Sequence, residues 1–382
     1  MMRKLILHVG AHKTGTSTIQ KNLSLIPELE WDSAGCTYPI FNNGFSDIFN
    51  HSIVIYSFFS EHADKYHMNL KFGFDNQSKV NALNEKYLQQ MDTFFNKSKD
   101  TIILSGEDIG VLSENELKEL KLFFISRYAV TDFQVVYSVR EHLSYLNSDL
   151  QEAVKGGQTL KALTQLKVST VENIYQNTIS KFLDVFGGAS LNIYSFELAI
   201  KEKAGLTKFF INNFIPELHL CDFEEVKSNE SLSYEATELI SYINEKLSFY
   251  VDGVISKERE VNDLIPLWKI KGEKFTINCE ADLFEEDKKW LLKNFNINYL
   301  IDVHPNKDLN KNYWSIESLN DLESAMAILP EKILNLIIEF LKVKAFGSSD
   351  PNKSILFLQL AKKYRPNGPL INERLNHYKR SV

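Results

Sequence analysis

The sequence predicts an α/β protein in which a central parallel sheet is flanked by helices. Residues 4–20, Lys-Leu-Ile-Leu-His-Val-Gly-Ala-His-Lys-Thr-Gly-Thr-Ser-Thr-Ile-Gln, pass from a short apolar run through a loop bounded by Gly10 and Gly15 into a polar-apolar segment. Further apolar runs end near Ser105, Arg140 and Phe196, and stretches of helical periodicity separate them. Parallel strands require crossovers of this kind. The chain has 382 residues, 44% of them hydrophobic, which is enough for one large domain with an extension or for two domains.

Leu5 to Val9 is apolar apart from His8 and has the length of a buried parallel strand. Gly10 and Gly15 then bracket a turn, and Thr16 and Ser17 open a helix. Such a turn aims backbone N–H groups and the positive end of a helix dipole at one point, where a phosphate fits. The Gly10 to Gly15 spacing is weak evidence alone in a chain with 16 glycines, so the flanking residues must carry the inference. In the nucleoside-triphosphatase loop a lysine follows the second glycine; here Thr16 stands in that place, and Lys13 lies two positions before Gly15. A lysine inside the loop faces the terminal 5′ group of a bound nucleotide. Thr16 and Ser17 add neutral donors with no evident need for a metal bridging two phosphates.

Residues 31–75 read irregularly, with Gly35, Pro39, Asn42-Asn43-Gly44 and the aromatic and imidazole side chains of Tyr56, Phe58, Phe59, His62, Tyr66 and His67. They read as a wall of an acceptor pocket; the plainer alternative is that Ile53 to Phe59 is a buried helical face and the histidines are surface residues. A helical period returns from Val80 to Lys97, and Thr101 to Leu104 is a second strand ending in the polar turn Ser105-Gly106-Glu107-Asp108. Ligands of open α/β sheets gather at the carboxyl ends of strands, so Ser105 and Glu107 are expected to face the crevice of Lys13. A solvated loop or a helix cap is the other reading of Glu107 and Asp108. Ser113 to Glu116 is a capping box before a crossover helix. Asp132 to Arg140 is a third strand, Glu141 to Val154 a helix carrying Ser148, Lys161 to Phe186 a helix closed by Gly187-Gly188, and Leu191 to Phe196 a fourth strand. Ser233 is the expected N-cap of a helix reaching Leu247.

The string His12-Lys13-Thr14-Gly15-Thr16-Ser17 resembles the 5′-phosphosulfate loop of sulfotransferases that use 3′-phosphoadenosine 5′-phosphosulfate (PAPS). Arg140 at a strand end, with Ser148 eight residues later, resembles their 3′-phosphate motif; Val139 and Leu150 depart from it, where many relatives have a basic and an aromatic residue. Asn229 to Ser233 resembles a segment of bacterial members, and the likeness covers roughly residues 4–245. The resemblance implies a three-layer P-loop-like fold and transfer of a sulfuryl group from PAPS to a hydroxyl or amine, on a carbohydrate rather than a small phenol. PAPS would be the co-substrate and no metal would be required. Lys13 would act on the departing 5′-phosphate; His12, Thr14, Gly15, Thr16 and Ser17 would help hold it; Arg140 and Ser148 would anchor the 3′-phosphate. Relatives often place a histidine near the acceptor, so His51 joins Glu107 as a candidate base. Rival readings are a P-loop kinase, which should want a lysine after Gly15 and acidic residues for magnesium, and a non-catalytic nucleotide-binding scaffold.

A formal net charge of −7 argues against a nucleic-acid binder dominated by electrostatics. Cys36, Cys221 and Cys279 are scattered, implying neither a disulfide framework nor a metal site. No apolar run has the length of a signal-peptide core or a membrane span, and the expectation is a cytoplasmic enzyme of bacterial type. Residues 1–305 are expected to form the sulfotransferase domain, with an acceptor-site insert at 31–75. Residues 306–382 are expected to form a helical extension, with Pro305 to Asn312 as a linker.

Overall fold

A computed structural model describes residues 3–97, 100–161, 163, 171–203, 205–219, 224–226, 231–251, 254–256, 258–277, 283–298 and 313–381. The fold is α/β, and its central sheet is built of five parallel strands. The strands, in chain order, are β1 (Arg3–His8), β2 (Cys36–Thr37), β3 (Phe41–Asn42), β4 (Asp47–Ile48), β5 (Thr101–Ser105), β6 (Val130–Val139), β7 (Leu191–Ser195), β8 (Tyr250–Val251) and β9 (Val254–Ile255). The helices are α1 (Thr16–Ser24), α2 (Glu28–Ser33), α3 (Ser52–Phe59), α4 (His67–Lys71), α5 (Gln77–Lys97), α6 (Glu114–Tyr128), α7 (His142–Lys155), α8 (Ile174–Phe186), α9 (Phe196–Ala199), α10 (Leu206–Phe214), α11 (Tyr234–Lys246), α12 (Glu285–Phe295), α13 (Ile316–Met326), α14 (Glu331–Gly347), α15 (Pro351–Tyr364) and α16 (Pro369–Ser381).

The chain divides into two compact units. The first holds residues 1–145, 172–229 and 281–301 and contains the sheet in the order β2-β5-β1-β6-β7. The run Leu5 to Leu7 is buried on both faces, which is why it is continuously apolar rather than alternating. One face packs Ile6, Ile103 and Val136 against Ile19 and Leu23 of α1, Trp31 of α2 and Phe210 and Phe214 of α10. On the other face Phe133 and Tyr137 of β6 meet Phe186 and Phe182 of α8. The successors of β1 run first to one side of it, as β2 and β5, and then to the other, as β6 and β7. This reversal of strand order is where open α/β sheets form a crevice at the carboxyl ends of their strands.

The capping box at Ser113 and Glu116 starts α6 as its sequence predicts. Between 31 and 75, the helix reading of Ile53 to Phe59 is the one observed: α3 buries Ile53, Val54, Ile55 and Phe59. Only Tyr56 and Phe58 of that helix keep partial exposure, and His62 and His67 lie at the surface. The predicted helix from Lys161 is described from Ile174 onward, and Gly187, with φ 84°, ends it. No helix among the described residues is long and apolar enough to cross a membrane.

The second unit holds residues 146–171, 230–280 and 302–382. Ser233 caps α11 by accepting the N–H of Ala236 at 3.0 Å. Glu238 on α11 receives Trp314 at 3.0 Å and Lys344 of α14 at 2.9 Å, so the C-terminal helices pack on α11. These helices thus group with residues 146–171 and 230–280 in one compact unit. The proposed linker at 305–312, residues 228–230, Cys221 and Cys279 lie outside the described residues.

Candidate active site

Beyond β1 the chain keeps to the side of β6 for three more residues, as Val9 N–H donates to Val136 O at 2.9 Å and Ala11 N–H to Ser138 O at 3.1 Å. It then turns sharply through two left-handed residues, Lys13 with φ 63° and Gly15 with φ 78°. Glycine accepts that geometry at Gly15, where a Cβ would also collide with Leu206. Lys13 adopts it despite its side chain, the kind of local strain that surrounding structure must hold in place. Thr14 braces the turn by donating to Ala11 O at 2.5 Å. Gly15 O accepts the N–H groups of Thr18 and Ile19, so those of Thr16 and Ser17 precede the helical ladder. No acidic residue lies in that first turn.

His8, at the end of β1, lies beneath this loop. It is fully buried, its Nδ1 is 2.8 Å from Ser105 Oγ, and its Nε2 is buried without a hydrogen-bond partner. Burial lowers its pKa to about 3, so the ring is neutral.

Arg140 follows β6 on one side of the loop. Its Nη1 donates to Lys13 O at 2.7 Å and its Nε to Ser144 Oγ at 3.0 Å, with the guanidinium 5.1 Å from the Phe196 ring centroid. Tyr175 fixes the backbone here, its hydroxyl donating to Arg140 O at 2.6 Å and accepting from Arg140 N–H at 3.0 Å. Burial pulls the Arg140 pKa below its usual value, against the upward pull of Glu197, Tyr175 and Glu141. The serine in contact with Arg140 is Ser144. Ser148 stands one helical turn further along α7, on residues of the second unit.

The turn after β5 flanks the loop on the other side, since β5 and β6 are the two neighbours of β1. Glu107 is half-buried there and receives Gln20 Nε2 on Oε2 at 2.9 Å and Asn50 Nδ2 on Oε1 at 3.2 Å. Asp108 meets His12 Nε2 at 3.0 Å and accepts the hydroxyl of Tyr66 at 2.5 Å. Burial works to raise the Asp108 pKa, but the hydrogen bond and charge of His12, with Tyr66 and His67, outweigh it and hold the carboxyl below its ordinary value. His12 and Lys13 thus lie on a loop tied from both sides, by Asp108 and by Arg140.

His51, the second candidate base, stands at the start of α3. It is completely buried, Ser105 N–H donates to its Nδ1 at 2.8 Å, and its Nε2 therefore carries the proton and donates to Pro39 O at 2.6 Å. Burial lowers its pKa to about 4, against a small upward pull from the Pro39 carbonyl. Both nitrogens serve the backbone, so the imidazole fastens the 39–51 segment to β5. An unfolded histidine binds a proton near pH 6.5, whereas folded His51 and His8 do so only near 4 and 3. Their stabilisation is complete above about pH 6.5 and is lost as the pH falls, by about 1.4 kcal/mol per pH unit for each ring. Urea unfolding between pH 7 and 4.5 should show a shallower pH slope in His51→Asn than in the wild-type chain. Equal slopes would contradict a buried neutral His51.

Sequence reasoning missed Gln20, Ser144, Tyr175 and the His12–Asp108–Tyr66 contact. Only His8 carried a signal, as the one polar residue in a buried strand. No family model, curated protein or solved structure matches this chain.

Proposed function

We propose that the chain is a PAPS-dependent sulfotransferase with a three-layer P-loop-like fold, acting on a hydroxyl or amine of an acceptor, with a carbohydrate hydroxyl as the expected group. The observation that carries this reading is the loop, which combines a lysine inside a left-handed turn, the first-turn amides of a helix without acidic residues or a side-chain cap, and a half-buried arginine bonded to the lysine's own carbonyl. These are the components of a site for a doubly anionic nucleotide end, and the unpartnered Nε2 of His8 beneath the loop fits a polar occupant.

PAPS supplies the sulfuryl group and leaves as 3′,5′-adenosine bisphosphate. The acceptor oxygen forms a bond to sulfur as the bond from sulfur to the 5′-phosphate oxygen breaks. Lys13, with the amides of Thr16 and Ser17, stabilises charge building on that departing oxygen. Glu107 takes the acceptor proton, which leaves a neutral carboxyl and a sulfated acceptor. Arg140 binds the 3′-phosphate through its remaining guanidinium donors. Tyr56, stacked on Tyr66 at 4.4 Å, and the exposed His67 lie on the acceptor side, next to Asp108 and Glu107.

A binding titration tests this reading against a phosphotransferase. 3′,5′-Adenosine bisphosphate should bind without magnesium, and ATP should bind more weakly with or without it. The wild-type chain should prefer the bisphosphate over adenosine 5′-phosphate by roughly tenfold to a hundredfold, the scale of a charge-assisted fork. Arg140→Ala should weaken both, because the Lys13 carbonyl loses its donor, and should abolish the preference. Equal wild-type affinity for the two nucleotides would remove Arg140 from the 3′ site.

A further inference from the structure

We infer that Gln20 and Asn50 are positioning residues that hold the Glu107 carboxyl group in place, and that Gln20 joins this group to the helix that closes the donor loop. The inference rests on the reading of Glu107 as the proton acceptor. Each oxygen of Glu107 takes one neutral amide donor, Gln20 on Oε2 at 2.9 Å and Asn50 on Oε1 at 3.2 Å. A carboxylate oxygen has about two acceptor sites, so this arrangement fixes the group and leaves capacity for an acceptor proton.

Gln20 is 1% exposed, and its Nε2 also reaches Ser105 O at 3.3 Å. One amide group therefore spans the end of β5 and the carboxylate two residues beyond it. The same α1 begins at Gly15, so the amides facing the donor and the donor facing Glu107 belong to one nine-residue helix. Asn50 is fixed in turn, because its Oδ1 accepts Ser52 N–H at 2.9 Å at the start of α3. The two amides thus bring a donor-side helix and an acceptor-side helix to one carboxylate.

Carboxyl titration by NMR in protein labelled at glutamate side chains, assigned through Glu107→Gln, tests the contact without turnover. In Gln20→Glu a second carboxyl stands where the amide was, and the pair retains a proton to higher pH. The Glu107 midpoint should rise by about one unit or more, and the acidic limb of kcat with saturating PAPS should move up by the same amount. Affinity for 3′,5′-adenosine bisphosphate should stay within about threefold. Asn50→Asp keeps the acceptor that caps α3 while placing a like charge beside Oε1. It should shift the same midpoint upward, and it serves if the buried substitution at 20 prevents folding. Unchanged Glu107 titration in both variants would overturn the inference, even with turnover intact. A shifted midpoint in a chain that transfers no sulfuryl group would instead retain the contact and sink the proposed reaction.

Discussion

Lys13→Ala is expected to lower kcat by on the order of 10² to 10³ with PAPS saturating, while affinity for 3′,5′-adenosine bisphosphate falls much less. The expectation follows from where the lysine is held. Its carbonyl is gripped by Arg140 and its backbone is forced into a left-handed conformation, so the side chain is presented by a rigid loop. A donor preorganised towards charge that grows in the transition state contributes little to ground-state binding. Alanine at 13 keeps the carbonyl that Arg140 bonds, so this tie of the loop remains. Melting temperatures of wild type and variant should therefore agree closely, which separates lost chemistry from lost structure. A variant with near wild-type turnover would make the loop a structural turn and end the mechanism.

The inner strands β1 and β5 were legible because burial on both faces demands apolar runs, as in Leu5 to Leu7 and Ile102 to Leu104. The edge strand Cys36–Thr37 has two residues and leaves no such pattern. Lys13 and Gly15 could be singled out because a loop is a local object whose geometry follows from neighbours in sequence. His51 could not be judged that way: its partners are backbone atoms 12 and 54 positions away, and composition around Asn50-His51 does not reveal them. The resemblance points to Ser148, eight residues after Arg140, whereas the serine that Arg140 bonds is Ser144, one turn of α7 earlier. The C-terminal helices were legible as amphipathic segments, but the partner of their apolar faces, α11, lies far away in sequence.

Glu107→Gln is expected to retain nucleotide affinity and lower kcat by roughly 10²-fold or more, the usual scale for a general base. Glutamine matches the shape of the side chain and removes the proposed proton acceptor. It also turns an acceptor-only carboxylate into an amide facing two amide donors, so the Gln20 and Asn50 contacts must rearrange around it. Glu107→Asp, which keeps the charge but draws it back by one methylene, should recover part of the rate and separate charge from reach. His51→Asn should behave differently. Its ring is neutral, enclosed and bonded at both nitrogens, so its replacement should reduce stability and leave the kcat of the folded fraction within about tenfold of wild type. Single-turnover rates with saturating PAPS, normalised to folded protein, decide between them: a severe loss in His51→Asn with Glu107→Gln near wild type would move the proton to the histidine and leave Glu107 as a structural member of the turn.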